Sequence, residues 1–460
     1  MHYESLSAIS SKIRRREYSI TDVVSHQLER IRSLDPTLGS FSAVEGENAL
    51  KRAEVLQREL VSGSWRGPLH GVPIAVKDIY GVEGQPFEIG MASRRGLVAT
   101  ATATVVQRLL AAGAIVLGRL HTTEGVYAEH TVPFSAPRNP WDHERWVGVS
   151  SSGSGVATAA GLAFGTLASD TGGSIRMPSS ANGVTGLKPT WGRVSRHGVF
   201  ELAATLDHVG PITRSAVDAG IMLQAIAGHD PHDPTSSVLP VDDYGVRSGT
   251  DLTGRRIGID LDWAFTGISE TTAVGLREAL DVFESLGAEI VPIKFPDTDV
   301  IVDDWFKVCG VQTAQSHGDW YDTHRDLYGA ALSEIIELGH GLGGMEYQQL
   351  LQRRAVFKGQ AIASLMNLDA MLIPGLPFEP PLAKDMVSMD EKTVAEVHRY
   401  TVPFTMSQLP TLTMPSGFTA GGQLPVSIQL VAGEFREKDL IALGAAYQSC
   451  TNWHNLHPSL

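Results

Sequence analysis

Cysteine is almost absent: Cys309 and Cys450 are the only two in 460 residues. That excludes a disulfide framework, and their separation excludes a zinc knuckle. Both are expected to be buried thiols acting as small hydrophobes. Basic side chains are in deficit too, with 37 Lys and Arg against 51 Asp and Glu and a formal net charge of −14. Nucleic acid and anionic membrane surfaces both demand local positive charge, so neither is an expected partner. No stretch approaches the ~18 consecutive apolar residues of a membrane span. The opening MHYESLSAISSKIRRREYS has no apolar run long enough for a signal peptide. A cytoplasmic location is therefore expected.

Several familiar sites are missing as well. There is no GxxxxGK[ST] phosphate loop, and His143-Glu144 lacks the second histidine of HExxH. His454 and His457 stand without an acidic or cysteine partner, so no metal site is expected. The GxSxG elbow fails because Arg176 follows where glycine is needed. GHGLGG at 339–344 follows the helical segment SEIIEL instead of a strand, and is read as a loop.

What is present suits a large α/β core: 43% of residues are hydrophobic and 19% charged. Residues 4–34 read as two helices joined at a cap, and 47–60 as a third. GVPIAVKD, 71–78, is a short apolar run suited to a buried strand, with Lys77 at its end. A helix, a turn at Gly113 and a strand follow over 103–120, and the alternation recurs over 276–295. Between them, 145–195 is dominated by Gly, Ser, Thr and Ala. VATAAGLAF inside it can form a close-packed helix, which argues against a flexible linker. Residues 230–245, rich in Pro and Asp, read as a surface loop, and no internal repeat is found.

This leaves a lysine at a strand end and two serines in the glycine-rich stretch. A serine hydroxyl needs a base, and an amine kept uncharged by burial can serve. Gly172 and Gly173, just before Ser174, leave backbone N–H groups unshielded and available to an oxyanion. Taken alone, such Gly-Ser clusters also make ordinary tight turns.

The motifs narrow the choice. GVSSSGSG, then ASDTGGSIRMP, then GVTGLKPTWGRVSRHGV, resembles the signature block of the amidase signature family. GVPIAVKD is similar to the family's lysine strand. ATVVQRLLAAGAIVLGRLHTTE, RNPWD and LPVSIQLVAGEFREKDLI also fit, in the expected order. The resemblance implies one α/β domain over 1–460 with a mixed central sheet covered by helices on both faces. Within it, 1–65 would be a helical part, 66–215 the core carrying the catalytic residues, and 216–460 the remainder with the substrate pocket. It implies Lys77 as base, Ser150 as a bridging serine usually preceded by a cis peptide bond, and Ser174 as nucleophile. The oxyanion donors would be the backbone of Thr171, Gly172, Gly173 and Ser174. Asp170 and Arg176 would be a supporting ion pair, and Gly125 and Val126 would lie along the substrate channel. No cofactor is implied. Two departures stand out: Val149 where the family often has Gly, and His121 where it often has Asn.

The implied reaction is hydrolysis of a small aryl or acyl amide, with esters and carbamates open to the same acyl-enzyme chemistry. The family also includes glutamine-dependent amidotransferase subunits, which need a partner chain. This sequence reads SIRMPSSANGV where those typically have SIRQPAAFCGV. An inactive scaffold of the same fold is the third reading, opposed by the intact Lys77, Ser150 and Ser174. Trp305, Trp320 and Tyr321 are candidates to line an apolar pocket, or are ordinary core residues. The oligomeric state stays open, a homodimer included.

Overall fold

The apolar runs separated by helical patterns assemble into one sheet. A computed structural model describes residues 1–245, 249, 251–387, 389–421 and 423–460, with only the backbone of Glu391. Eleven strands are formed among them. In chain order they are β1 (Phe41–Val44), β2 (Pro73–Lys77), β3 (Ile115–Leu120), β4 (Gly165–Asp170), β5 (Thr185–Lys188) and β6 (His208–Thr213). Then come β7 (Arg256–Ile259), β8 (Glu289–Pro292), β9 (Ala370–Pro374), β10 (Thr411–Phe418) and β11 (Pro425–Val431). Their spatial order is β1-β3-β2-β4-β6-β5-β10-β11-β9-β7-β8.

The sheet is mixed. β2 runs parallel to both β3 and β4, whereas β4 runs antiparallel to β6. In β2, β4, β6, β9 and β11 every residue is buried. Successive side chains of a strand point to opposite faces, so burial at every position means that both faces are covered. The α/β architecture is thus as the sequence implies. No helix among the described residues is long and apolar enough to cross a membrane.

Helices form at Leu6–Arg14, Ile20–Leu38, Gly46–Val61 and Thr104–Ala111, close to the sequence pattern. The second runs on past residue 34 through Pro36 and stops at Gly39, whose positive φ of 64° closes the helix. Around VATAAGLAF the helix is shifted, spanning Ser152–Ala159, because the chain must turn at Gly161 before entering β4. GHGLGG is not a loop: one helix ends at Gly341 and the next starts at Gly344. Residues 230–245 hold no helix or strand, as expected of a loop. Cys309 is buried but Cys450 is exposed, which corrects the expectation of two buried thiols.

The N-terminal helix is docked by a single carboxylate. Asp218 accepts from the N–H of Leu6 and of Ser7, each at 3.0 Å. These N–H groups have no partner inside their own helix, and negative charge is favoured at that end. Replacing Asp218 leaves two donors unsatisfied, the Leu6 N–H buried and the Ser7 N–H partly so. Asp218→Ala is expected to lower stability by about 2 kcal/mol, seen as a lower denaturant midpoint with an unchanged slope.

Candidate active site

Parallel pairing of β2 and β4 sets Ala75 beside Thr166 and Val76 beside Leu167, so both strands end together. Lys77 is the last residue of β2 and Asp170 the last of β4. Lys77 is completely buried. Its Nζ lies 2.8 Å from Ser150 Oγ, 2.9 Å from Ser151 Oγ and 3.0 Å from Ser169 Oγ. No carboxylate is within ion-pair distance of it among the described residues. Burial pushes its ammonium group down to about 7, against the opposing pull of Asp170 and Asp207.

Three partners suit an uncharged amine, which has two N–H groups and one lone pair. The Ser151 hydroxyl donates to Ser169 O at 3.1 Å, so its oxygen accepts from Lys77. The Ser150 hydroxyl has no other partner among the described residues and is free to donate to the lone pair. The Val149–Ser150 peptide bond is cis. The β-branched Val149 is accommodated by packing against the cluster of Trp146 and Met177.

Beyond β4 the chain bends through Thr171, Gly172, Gly173 and Ser174 into the helix Arg176–Asn182. Glycine is required at two positions. A Cβ on Gly172 would stand 2.4 Å from the Trp305 ring, and Gly173 has φ of 142°. Asp170 anchors the bend. Its carboxylate accepts from Gly173 N at 2.9 Å and Ile175 N at 3.0 Å, and from Arg176 Nη2 at 2.7 Å and Nε at 3.0 Å. Burial works to raise this carboxyl, but the Arg176 guanidinium holds it below the usual carboxylate range. Both partners are fully buried, so this is not a surface pair.

The N–H groups of Thr171, Gly172 and Ser174 make no hydrogen bond among the described residues. That of Gly173 is already committed to Asp170, so the four-donor set implied by the sequence shrinks to three free donors. Ser174 and Ser150 line the same cavity of about 590 Å³. Their hydroxyls are not hydrogen-bonded to each other. Such contacts often tighten only on substrate binding.

Val126 also lines the cavity, but Gly125 does not: its Cα faces Leu332 and His317. The walls are mainly apolar, with Trp146, Trp305, Phe306 and Met386 prominent. Trp305 is therefore both pocket wall and core. Trp320 and Tyr321 are not on the wall; Trp320 covers Arg94, and Tyr321 packs on Tyr328. His398 lines the cavity, and burial lowers it to about 4, leaving it neutral at pH 7. Glu129 and Glu334 are the cavity's carboxylates, and no Lys or Arg lines it among the described residues. Burial first, and then the Glu334 charge, raise Glu129 above the ordinary glutamate value.

His121 is off the wall. It contributes its backbone to Ser40 and Gly153, and burial lowers its imidazole. The sequence reading missed Ser151 and Ser169 as partners of Lys77. Ser151 lies in the SSS run beside Ser150, a usable signal; Ser169 carried none. Arg176→Met would leave Asp170 as an unpaired buried charge. It is expected to cost about 3–5 kcal/mol of stability, measured by chemical denaturation.

A family model described as Amidase matches residues 22–441. The Mycobacterium tuberculosis protein named "Putative amidase AmiD" is 41% identical over 457 residues, covering 98% of this chain and 95% of that protein. The glutamyl-tRNA(Gln) amidotransferase subunit of Chromohalobacter salexigens is 33% identical over 489 residues, covering 100% of this chain and 99% of that protein. The native peptide amidase of Stenotrophomonas maltophilia superimposes with a TM-score of 0.84 at 28% identity, over 97% of each chain. With a family match over most of its length and relatives at these identities, the chain belongs to the amidase signature family of hydrolases acting on carbon–nitrogen bonds.

Proposed function

We propose that the chain hydrolyses small aryl or acyl amides without a partner protein, and takes aryl esters and carbamates by the same route. The observation that carries this reading is Lys77, fully buried and bonded among the described residues only to hydroxyls, beside an apolar cavity that holds Ser174. Ser174 Oγ attacks the carbonyl carbon while its proton passes to Ser150 Oγ, whose own proton moves to Lys77 Nζ. The developing oxyanion is met by the free N–H groups of Thr171, Gly172 and Ser174. The relay then returns a proton to the leaving nitrogen and the C–N bond breaks. Water attacks the acyl-enzyme by the same relay, releasing a carboxylic acid and restoring Ser174.

The amidotransferase reading has the support of a 33% identical relative of that name. The cavity disfavours it. Glutamine pairs an α-ammonium, which Glu129 and Glu334 would suit, with an α-carboxylate that needs a cation, and no described Lys or Arg lines the wall to supply one. For the same reason the preferred acyl groups are neutral or positively charged.

A panel of a p-nitroanilide, an aryl ester, an aryl carbamate, glutamine and a primary aliphatic amide tests the reading with purified, metal-free protein. Turnover of the aryl compounds is expected, with a loss of at least ~10³-fold in Ser174→Ala. A succinyl anilide should react at least about tenfold more slowly than its butyryl counterpart, the gap narrowing as salt screens the carboxylates. Preference for glutamine, or full activity in Ser174→Ala, overturns the proposal.

The pH dependence follows from Lys77. Only the unprotonated amine accepts a proton, and burial sets its titration at about 7. kcat/KM is expected to rise about tenfold per pH unit below that value and to level off above it. A rate that falls as pH rises through 7 removes Lys77 as the base.

A further inference from the structure

Free backbone donors are useful to an oxyanion only if their peptide planes are held. Two residues far along the chain hold this bend, one fixing the plane of the free Gly172 N–H and the other the plane that follows it, between the Gly172 and Ser174 donors. Trp305 Nε1–H donates to Thr171 O at 2.8 Å, and Thr401 Oγ1–H donates to Gly172 O at 2.6 Å. The peptide bonds of this bend are trans. In a trans peptide the C=O and the following N–H point in opposite directions. Holding Thr171 O therefore fixes the direction of the Gly172 N–H. Holding Gly172 O fixes that of the Gly173 N–H, which reaches Asp170. Consecutive carbonyls of one four-residue bend are thus pinned by donors from two other elements.

Both donors are themselves fixed. The Trp305 ring is 3% exposed and lies against His398, centroids 5.1 Å apart, and His398 is in turn tied by Nδ1 to Val394 O at 2.8 Å. The Thr401 N–H donates to His398 O at 3.0 Å, and Thr401 O accepts from Arg176 Nη1 at 2.6 Å. The missing side chain of Gly172 is what lets the indole approach, since a Cβ there would collide with the ring. Trp305, His398, Thr401 and Arg176 therefore form a frame around the bend.

We propose that Trp305 and Thr401 are positioning residues of the oxyanion site, acting through the Thr171 and Gly172 carbonyls. This rests on the reading of Ser174 as nucleophile. The alternative is that these hydrogen bonds merely satisfy buried carbonyls, in which case losing one costs stability but not transition-state binding.

Trp305→Phe keeps an aromatic ring and removes the donor; Thr401→Val removes the hydroxyl and Thr401→Ser keeps it. With an aryl ester, kcat is expected to fall about 10- to 100-fold in Trp305→Phe and Thr401→Val, with KM within about twofold of wild type in Thr401→Val, whose side chain is off the cavity wall. Affinity for phenylboronic acid, which forms a tetrahedral adduct on a serine, should fall by the same factor as kcat/KM. Thr401→Ser should recover most of the loss. A kcat within about twofold of wild type in both folded variants, or a loss confined to KM with boronate affinity unchanged, overturns the inference. If Trp305→Phe does not fold, the Thr401 pair decides alone. Wild-type protein that does not turn over the ester, or a fully active Ser174→Ala, overturns the underlying reading instead, and the inference falls with it.

Discussion

The site depends on burying an amine so completely that it titrates near neutrality, at about 7. An ammonium removed from water at the end of a central strand loses its hydration, and hydroxyls replace only part of it. Lowering Lys77 from 10.5 to about 7 corresponds to roughly 5 kcal/mol of bias against the charged form. Full coverage of β2 on both faces supplies that bias. The same coverage requires partners for the amine, and Ser150, Ser151 and Ser169 provide them without adding a negative charge. The composition of 145–195 follows: small hydroxyl side chains satisfy a buried amine in the space that close packing leaves.

Asp170 threatens this arrangement. A fully buried carboxylate at the end of the neighbouring strand pulls Lys77 back towards its charged form. Arg176 counters the pull by engaging Asp170 through two nitrogens, 2.7 and 3.0 Å away. Asp207 pulls in the same direction; burial raises its own carboxyl to about 6, and it still carries most of its charge at neutrality. Desolvation of Lys77 therefore wins over both carboxylates. The carboxylate that shapes the Thr171–Ser174 bend is thereby kept from titrating the proposed base.

Legibility in the sequence followed the range of the interactions. β2 and its terminal Lys77 were readable because a short apolar run bounded by Gly and Pro fixes a buried strand locally. The signature motifs carried Ser150, Ser174, Asp170 and Arg176 as a set. Partners contributed by distant segments left no local trace. Thr401 and His398 meet the bend from more than 200 residues downstream, with nothing in their surroundings to mark them. Trp305, Trp320 and Tyr321 looked like one aromatic group, yet only Trp305 reaches the cavity. They lie on Asp299–His324, which breaks at Gly318 (φ 42°, ψ −136°), so the two later aromatics follow a different direction from the first.

The cavity's charge bears on turnover as well as selection. Hydrolysis of a neutral amide or ester on the proposed route creates a carboxylate that was not there before. It forms in an apolar space where Glu129 and Glu334 supply like charge and no described Lys or Arg supplies the opposite. Glu129 is already raised by burial and by Glu334, so a third negative charge nearby is opposed. The acid product is therefore the species the cavity holds least well, while its neutral precursor gains from the aromatic and methionine walls. On the proposed route, the same lack of a cationic wall that disfavours an acidic acyl group at entry favours departure of the acid at the end of each cycle.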